Sequence, residues 1–425
     1  MKRIILSILF AGFSASVFAQ MTLETCQELA REHYPEVKQY DLIRLTEQYD
    51  LSNAARAWLP QLSLSAQATW QNEVPEFPEA LSGMLSQAGV TIPGLKKDQY
   101  KVGLELNQTI WDGGKSNADK RLARTEAAEQ RAMTDVDLYT LKKRVNELYF
   151  GILLLEEKLS QTYRTITLLE SNLDKMCSLV TNGTALASDA DAVEAELLTA
   201  RQQATQIEAS RTSYRKMLEL FIGEPLQENL LRPEFEEMAT TELTRPELVL
   251  FDAKKNRLAA QEALIKSSTR PKFGFFAQGY YGYPSMDYFA SMMSNEWRWN
   301  LLTGIRMSWN FGAYYTKKNS LNKLRTAQQS IDLQRDVFRF ETDLQISQET
   351  GDIARLRKTI ADDARIVSLR QSVREAAESK LRNGIIDTND LLQKITDEAA
   401  ARSAQSVHEI ELLKALYELK HTINQ

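Results

Sequence analysis

Two periods of hydrophobic residues organise the chain. From Lys115 to Thr181 there is no proline and one internal glycine, Gly151. Leu138, Val145, Ile152, Leu159, Ile166, Leu173 and Val180 recur every seven residues, and Leu141, Leu148, Leu155, Thr162, Leu169 and Met176 form a second seam. Such a heptad predicts a coiled-coil helix, here over about 114–182. At 1.5 Å per residue this is a rod of roughly 100 Å. A second long helix is predicted over about 313–383, with Ile346, Ile353, Ile360 and Val367 as its seam. Each ends at an Asn-Gly, where glycine takes the left-handed conformation that stops a helix. Shorter helices over 188–222 and 388–422 return as antiparallel hairpins.

The other period is two. Leu62, Leu64, Ala66, Ala68 and Trp70 alternate with Ser63, Ser65, Gln67, Thr69 and Gln71. Alternation also marks strands at about 99–109 and 298–310, and more noisily at 272–281. All six tryptophans fall in or near these segments. Trp70, Tyr100, Trp111, Tyr280, Tyr281, Trp297, Trp299 and Trp309 are the expected membrane-interface aromatics, since indole and phenol rings favour the membrane-water boundary. Strands of about ten residues suit a tilted membrane strand. Four cannot close a membrane barrel, because an open edge in lipid leaves backbone groups unsatisfied, so several chains must share one. The fold class is therefore mainly α with membrane β. The long connections 72–98 and 282–297 face outward. Met286, Met292 and Met293 lie in the second, where apolar loop packing is a better reading than metal binding.

The plan is written twice. Tyr34-Pro35-Glu36-Val37 and Trp58-Leu59-Pro60-Gln61-Leu62 are matched 211 positions later by Arg245-Pro246-Glu247-Leu248 and Thr269-Arg270-Pro271-Lys272-Phe273. Asn182-Gly183 with Asp189 is matched 201 positions later by Asn383-Gly384 with Asp390. One unit was duplicated, giving repeats over 20–240 and 241–425. The linker at 223–244, rich in glutamate, is expected to be a solvated connector.

Composition narrows the function. Residues 1–19 have Lys2 and Arg3, an apolar run and Val17-Phe18-Ala19, the form of a secretory signal peptide. Of 52 basic and 57 acidic residues, removing that segment leaves a net charge of −7, with no basic block for nucleic acid. Cys26 and Cys177 make no disulfide framework, and Cys26 is too far from the cleavage point to carry a lipid anchor. His33, His408 and His421 show no ligand spacing, so no metal is expected. Gly113-Gly114-Lys115-Ser116 lacks the earlier glycine of a phosphate loop, Thr109 standing near that place. Catalysis and cofactors are not expected.

Several motifs together resemble the TolC-type outer-membrane efflux protein family. They are Leu59-Pro60-Gln61-Leu62, Gly103-Leu104-Glu105-Leu106 running into Ile110-Trp111-Asp112-Gly113-Gly114, Trp309-Asn310-Phe311-Gly312, and the two Asn-Gly tips. The resemblance spans essentially the mature chain. It implies a homotrimer with a 12-stranded barrel in outer-membrane lipid and a helical tunnel through the periplasm. It also implies docking of a periplasmic adaptor (membrane fusion) protein, which links the duct to an inner-membrane transporter. Carried over residue by residue, the docking tips are Asn182, Gly183, Thr184, Leu186, Ser188 and Asp189, then Asn383, Gly384, Ile385, Ile386, Thr388 and Asp390. Ser188 and Thr388 are expected to cap the returning helices. Asp390 matches an acidic ring at the periplasmic entrance, with Gln393 where relatives carry a second acid. The competing class is an envelope coiled-coil scaffold with a soluble β-region. A general porin has no need of such long helices.

Overall fold

A computed structural model describes residues 21–226, 230–234 and 243–424. The signal segment lies outside the described residues. In chain order the elements are α1 (Leu23–His33), α2 (Gln39–Arg56), β1 (Gln61–Trp70), α3 (Glu79–Gln87), β2 (Asp98–Trp111), α4 (Lys115–Thr181) and α5 (Ala187–Ile222). The second half gives α6 (Pro246–Ser268), β3 (Lys272–Tyr283), α7 (Tyr288–Met293), β4 (Arg298–Ser308), α8 (Ala313–Arg382) and α9 (Thr388–Ile423). The chain forms two compact units, and α4 and α8 each contribute residues to both.

The helical unit comprises residues up to 38, 134–248 and 337 onward. Its core follows the heptads. Leu138, Leu141, Val145, Leu148, Ile152, Leu159, Ile166, Leu169 and Met176 are all buried. Full burial of one such side chain favours folding by about 1.5–3 kcal/mol. Three ties fix the antiparallel register of α4 and α5. Glu156 meets Arg215 at 3.4 Å, Tyr163 donates to Glu208, and Glu170 meets Arg201 at 2.7 Å. Each tie moves seven residues along both helices in opposite directions, so the heptad sets the pairing as well as the burial. On α8 and α9, His408 Nδ1 lies 2.8 Å from Asp363, and the Thr422 hydroxyl donates to Glu349 at 2.9 Å.

The described parts of the linker are not merely solvated. Leu226 and Leu230 are buried, and the Tyr149 hydroxyl lies 2.6 Å from the Leu231 carbonyl. The expectation failed because two leucines within a glutamate-rich stretch are enough to dock it.

The strand unit comprises 39–133 and 249–336. Its sheet has the order β1-β2-β3-β4, all antiparallel, leaving β1 and β4 as edges. Pairing sorts the side chains. Leu62, Leu64, Ala66 and Ala68 oppose Leu106, Leu104, Val102 and Tyr100 on one face. Ser63, Ser65, Gln67 and Thr69 oppose Glu105, Gly103, Lys101 and Gln99 on the other. The irregular pattern of β3 has a local explanation. Its aromatics Phe276 and Tyr280 stand on the polar face, directly opposite Gly304 and Gly103. A Cβ at Gly103 would come within 2.8 Å of the Tyr280 Cβ, and one at Gly304 within 3.0 Å of the Phe276 ring. Glycine leaves room for each ring to lie across the neighbouring strand.

The connection between β1 and β2 holds α3, and that between β3 and β4 holds α7. Leu95, Tyr283 and Met292 form a small buried core with Val74, Phe77 and Ile92 beside it. The Tyr283 hydroxyl accepts from Lys96 N at 2.8 Å and donates to Asn295 at 2.8 Å. The two loops therefore hold each other.

Candidate functional site

The tip of the first hairpin is built by the backbone. Gly183 has φ +72°. Its N–H reaches the Val180 carbonyl at 3.0 Å, while Thr184 N reaches Leu179 at 2.9 Å. At the second tip Gly384 has φ +68°, with Gly384 N on Leu381 at 2.9 Å and Ile385 N on Lys380 at 3.0 Å. Both are Schellman motifs, which satisfy the last carbonyls of a helix and turn the chain out of it.

The restart of each return helix differs from expectation. Ser188 does not cap α5: the N-cap is Leu186, and the Asp189 carboxylate accepts from Leu186 N at 3.0 Å. Thr388 does not cap α9 either. Asp387 does, accepting from Asp390 N at 2.8 Å, while Thr388 is buried with its hydroxyl 3.8 Å from the Met176 sulfur. At α5 the Asp189 carboxylate reaches back to the backbone of the cap residue, at α9 the Asp387 carboxylate caps directly, and both lie where the helix dipole favours negative charge.

Beneath the tips one apolar core joins all four helix ends. Ile166 and Leu169 of α4, Val193 and Leu197 of α5, Ala377 of α8 and Leu391 and Ile395 of α9 are buried together. Ile386 packs against this core, but Leu186 and Ile385 are left 70% and 68% exposed. The two loops thus present apolar side chains to solvent from a rigid base. Asn182, Thr184, Ser188 and Asn383 are also exposed. Asp390 and Gln393 are exposed one turn apart on α9, where leucines at 391 and 392 face the core. This places both on one outward stripe, and among the described residues no hydrogen bond or ion pair fixes either side chain.

The aromatics of the strand unit fall at two ends of the apolar face. At the loop end Tyr100 stacks on Trp297 at 6.2 Å, and Tyr281 meets Trp299 at 5.2 Å, with Trp70 exposed beside them. At the helical end Trp111 meets Phe273 at 6.0 Å, and Trp309 meets Phe311 at 4.7 Å. A register shift between Thr109 and Trp111 brings Trp111 opposite Phe273. A bulge of this kind re-aims a side chain that strict alternation would send to the polar face. Tyr280 departs from the expected girdle. It lies on the polar face over Gly103, because the register pairs it there. Gln108 was missed by the strand pattern: it interrupts the apolar row, where its amide donates to the Trp58 carbonyl at 2.6 Å. The join from β2 to α4 is fixed by Asp112, which accepts from Gly114 N at 2.8 Å and Ser116 N at 2.6 Å.

The strand unit is a sheet with one apolar face, one polar face and two open edges, the helical unit holds two coiled-coil hairpins, and together they define a class: a chain of long helical hairpins with a two-faced four-stranded sheet. Residues 28–224 match the family model described as outer membrane efflux protein. That match lies within the first repeat and spans just under half of the chain, while the fold of the whole chain is shared with solved outer-membrane channels. Similar solved structures include the outer membrane protein VceC of Vibrio cholerae, 14% identical with a TM-score of 0.69, covering 94% of each chain. CusC is 12% identical with a TM-score of 0.70, covering 95% of this chain and 92% of its own. The open-state MtrE outer membrane channel of Neisseria gonorrhoeae is 15% identical with a TM-score of 0.65, covering 94% and 88%. No curated protein matches the chain. Among the described residues no helix is long and apolar enough to cross a membrane, and no group of His, Cys, Asp and Glu could hold a metal ion.

Proposed function

We propose that the protein is an outer-membrane channel-tunnel, the exit duct of a tripartite efflux or type I secretion system. It acts as a homotrimer whose twelve strands close one barrel in outer-membrane lipid. The observation that carries this reading is the two-faced sheet with unpaired edges. An apolar row suits lipid, a polar row suits water, and open edges in lipid must be paired by other copies. Cyclic symmetry closes such a ring without leaving an edge.

The helical hairpins extend into the periplasm, and their tips dock a periplasmic adaptor that links the duct to an inner-membrane transporter. Leu186 and Ile385, exposed on capped loops, are the apolar anchors of that contact. Transport is passive, and opening of the tips admits the cargo. Asp390 supplies one carboxylate per chain to the entrance, where three symmetry copies repel anions.

The test is the oligomeric mass of the purified mature protein together with its single-channel conductance in planar bilayers. Trimers that insert and conduct are expected. A soluble oligomer that never inserts would replace this reading with the periplasmic scaffold.

A further inference from the structure

The polar face of the sheet carries an uneven charge. The pairing registers place Lys101, Lys272, Arg298 and Arg306 on it, with Glu105 as the one acidic residue the strands contribute there. We propose that this face forms an anion-favouring section of the barrel lumen, opposite in sign to the Asp390 entrance, so that anionic groups of the cargo are held in the barrel ahead of cationic ones. The proposal rests on the exit-duct reading above and assigns that duct a substrate class.

Three features of the face support it. Among the described residues none of the four basic side chains has an ion-pair partner; Arg298 donates to the Ser294 hydroxyl at 3.3 Å, and Glu105 accepts from Asn107 at 3.1 Å. Two of the cations are positioned by aromatic rings. Lys101 lies over Tyr280, 5.3 Å from its centroid, and Arg306 over Phe276 at 4.5 Å. These are the same two rings that lie across Gly103 and Gly304. A glycine, a ring laid over it and a cation over the ring is a device used twice on one face. A ring orients a cation without cancelling its charge, so the positive potential stays available to the lumen.

The acids nearest the helical end of the face are already engaged. Asp112 caps α4, and Asp119 pairs with Lys115 at 2.7 Å. Lys272 and Arg306 border the open groove there, about 350 Å³ in volume. In a closed barrel the low-dielectric wall focuses these charges onto the axis, and threefold repetition multiplies the surplus. The outer loops carry Glu73, Glu76, Glu79, Asp287 and Glu296 against Lys96 and Lys97. Substitutions confined to the strands separate the lumen from that rim.

The experiment is the reversal potential of Asp390→Asn trimers, which lack the entrance carboxylates, in neutral-lipid bilayers under a potassium chloride gradient. This background is expected to favour chloride by about threefold or more, as rings of basic side chains do in pores. Adding Lys101→Gln, Arg298→Gln and Arg306→Gln together should bring the ratio to about unity or below, and adding Glu105→Gln should raise it. A conducting Asp390→Asn background that favours potassium, or an unchanged ratio on adding the three lumen substitutions, overturns the proposal and leaves the duct standing. If trimers insert but stay closed, titration calorimetry of tripolyphosphate against the detergent-solubilised trimer decides instead. Wild type should bind at least about tenfold more tightly than the triple variant, and equal affinities overturn the proposal. Protein that neither forms trimers nor inserts removes the duct and the lumen together.

Discussion

Acidification should destabilise the helical unit through His421. The ring of this residue, in the last turn of α9, stacks on Tyr139 with centroids 4.1 Å apart and planes 13° from parallel. Among the described residues its buried Nδ1 has no hydrogen-bond partner. Burial, followed by the nearby charges of Arg245, Lys142 and Lys143, holds its pKa down at about 3, from an ordinary 6.5. The folded chain keeps His421 neutral where the unfolded chain protonates it. Stability is therefore unaffected above pH 6.5 and falls as pH drops from there towards 3. Each pH unit within that window costs about 1.4 kcal/mol per chain, so pH 4.5 costs at most about 3 kcal/mol. Glu349, in the same 140 Å³ cavity, acts in the opposite sense. Burial raises its carboxyl pKa, so protonation on acidification favours the folded state and offsets part of the loss. The difference between wild type and His421→Gln isolates the histidine. Thermal unfolding of the trimer in detergent between pH 7.5 and 4.5 should show a steeper acid loss for wild type than for the variant. Carbon-nitrogen NMR, with His421 assigned by its substitution, should find the His421 imidazole still neutral at pH 4.5. Parallel pH profiles, or a His421 imidazole that titrates above pH 5.5, would refute the reasoning.

Other expectations concern the tips and the coiled coil. Gly183→Val and Gly384→Val place a β-branched residue at φ +72° and +68°. Each should destabilise its tip by about 1–2 kcal/mol, read as faster amide exchange near residues 179–184 or 380–385. Leu186→Asp combined with Ile385→Asp should weaken adaptor binding by tenfold or more, roughly 1.4 kcal/mol or above, with an unchanged melting profile. Equal affinity by surface plasmon resonance would remove these side chains from the contact. Asp390→Asn should reduce any cation preference of the entrance, and a conducting trimer indifferent to it would discard the ring while keeping the duct. Val145→Ala, at a fully buried heptad position, should cost about 1–3 kcal/mol in the trimer's thermal unfolding.

Much of the candidate site was legible because its signals are local. A Gly after the last helical turn announces the stop, and Gly183 and Gly384 both adopt the left-handed conformation. The caps were misread for an equally physical reason. Ser188 and Thr388 are good capping residues by type, yet the choice of first residue depends on where the loop leaves the preceding helix. That shift put Leu186 and Asp387 at the caps and turned Thr388 into the core. The two short loop helices and the Tyr283 core escaped the pattern, since neither α3 nor α7 is long enough to show a helical period.

What the sequence determined by itself was periodicity, because burial of one face repeats at intervals fixed by backbone geometry. Sevenfold leucines and isoleucines specified the long helices, alternation specified the strands, and duplication specified that each occurs twice. What only the tertiary structure decided was pairing. The glycines opposite Phe276 and Tyr280, the bulge that turns Trp111 to the apolar face, and the gathering of four basic residues on the polar face all depend on register between distant strands. A slip of one residue would exchange the two faces. Register is set by contacts between residues 16 to 183 positions apart, and a single strand's alternation records which residues share a face without recording what lies opposite them.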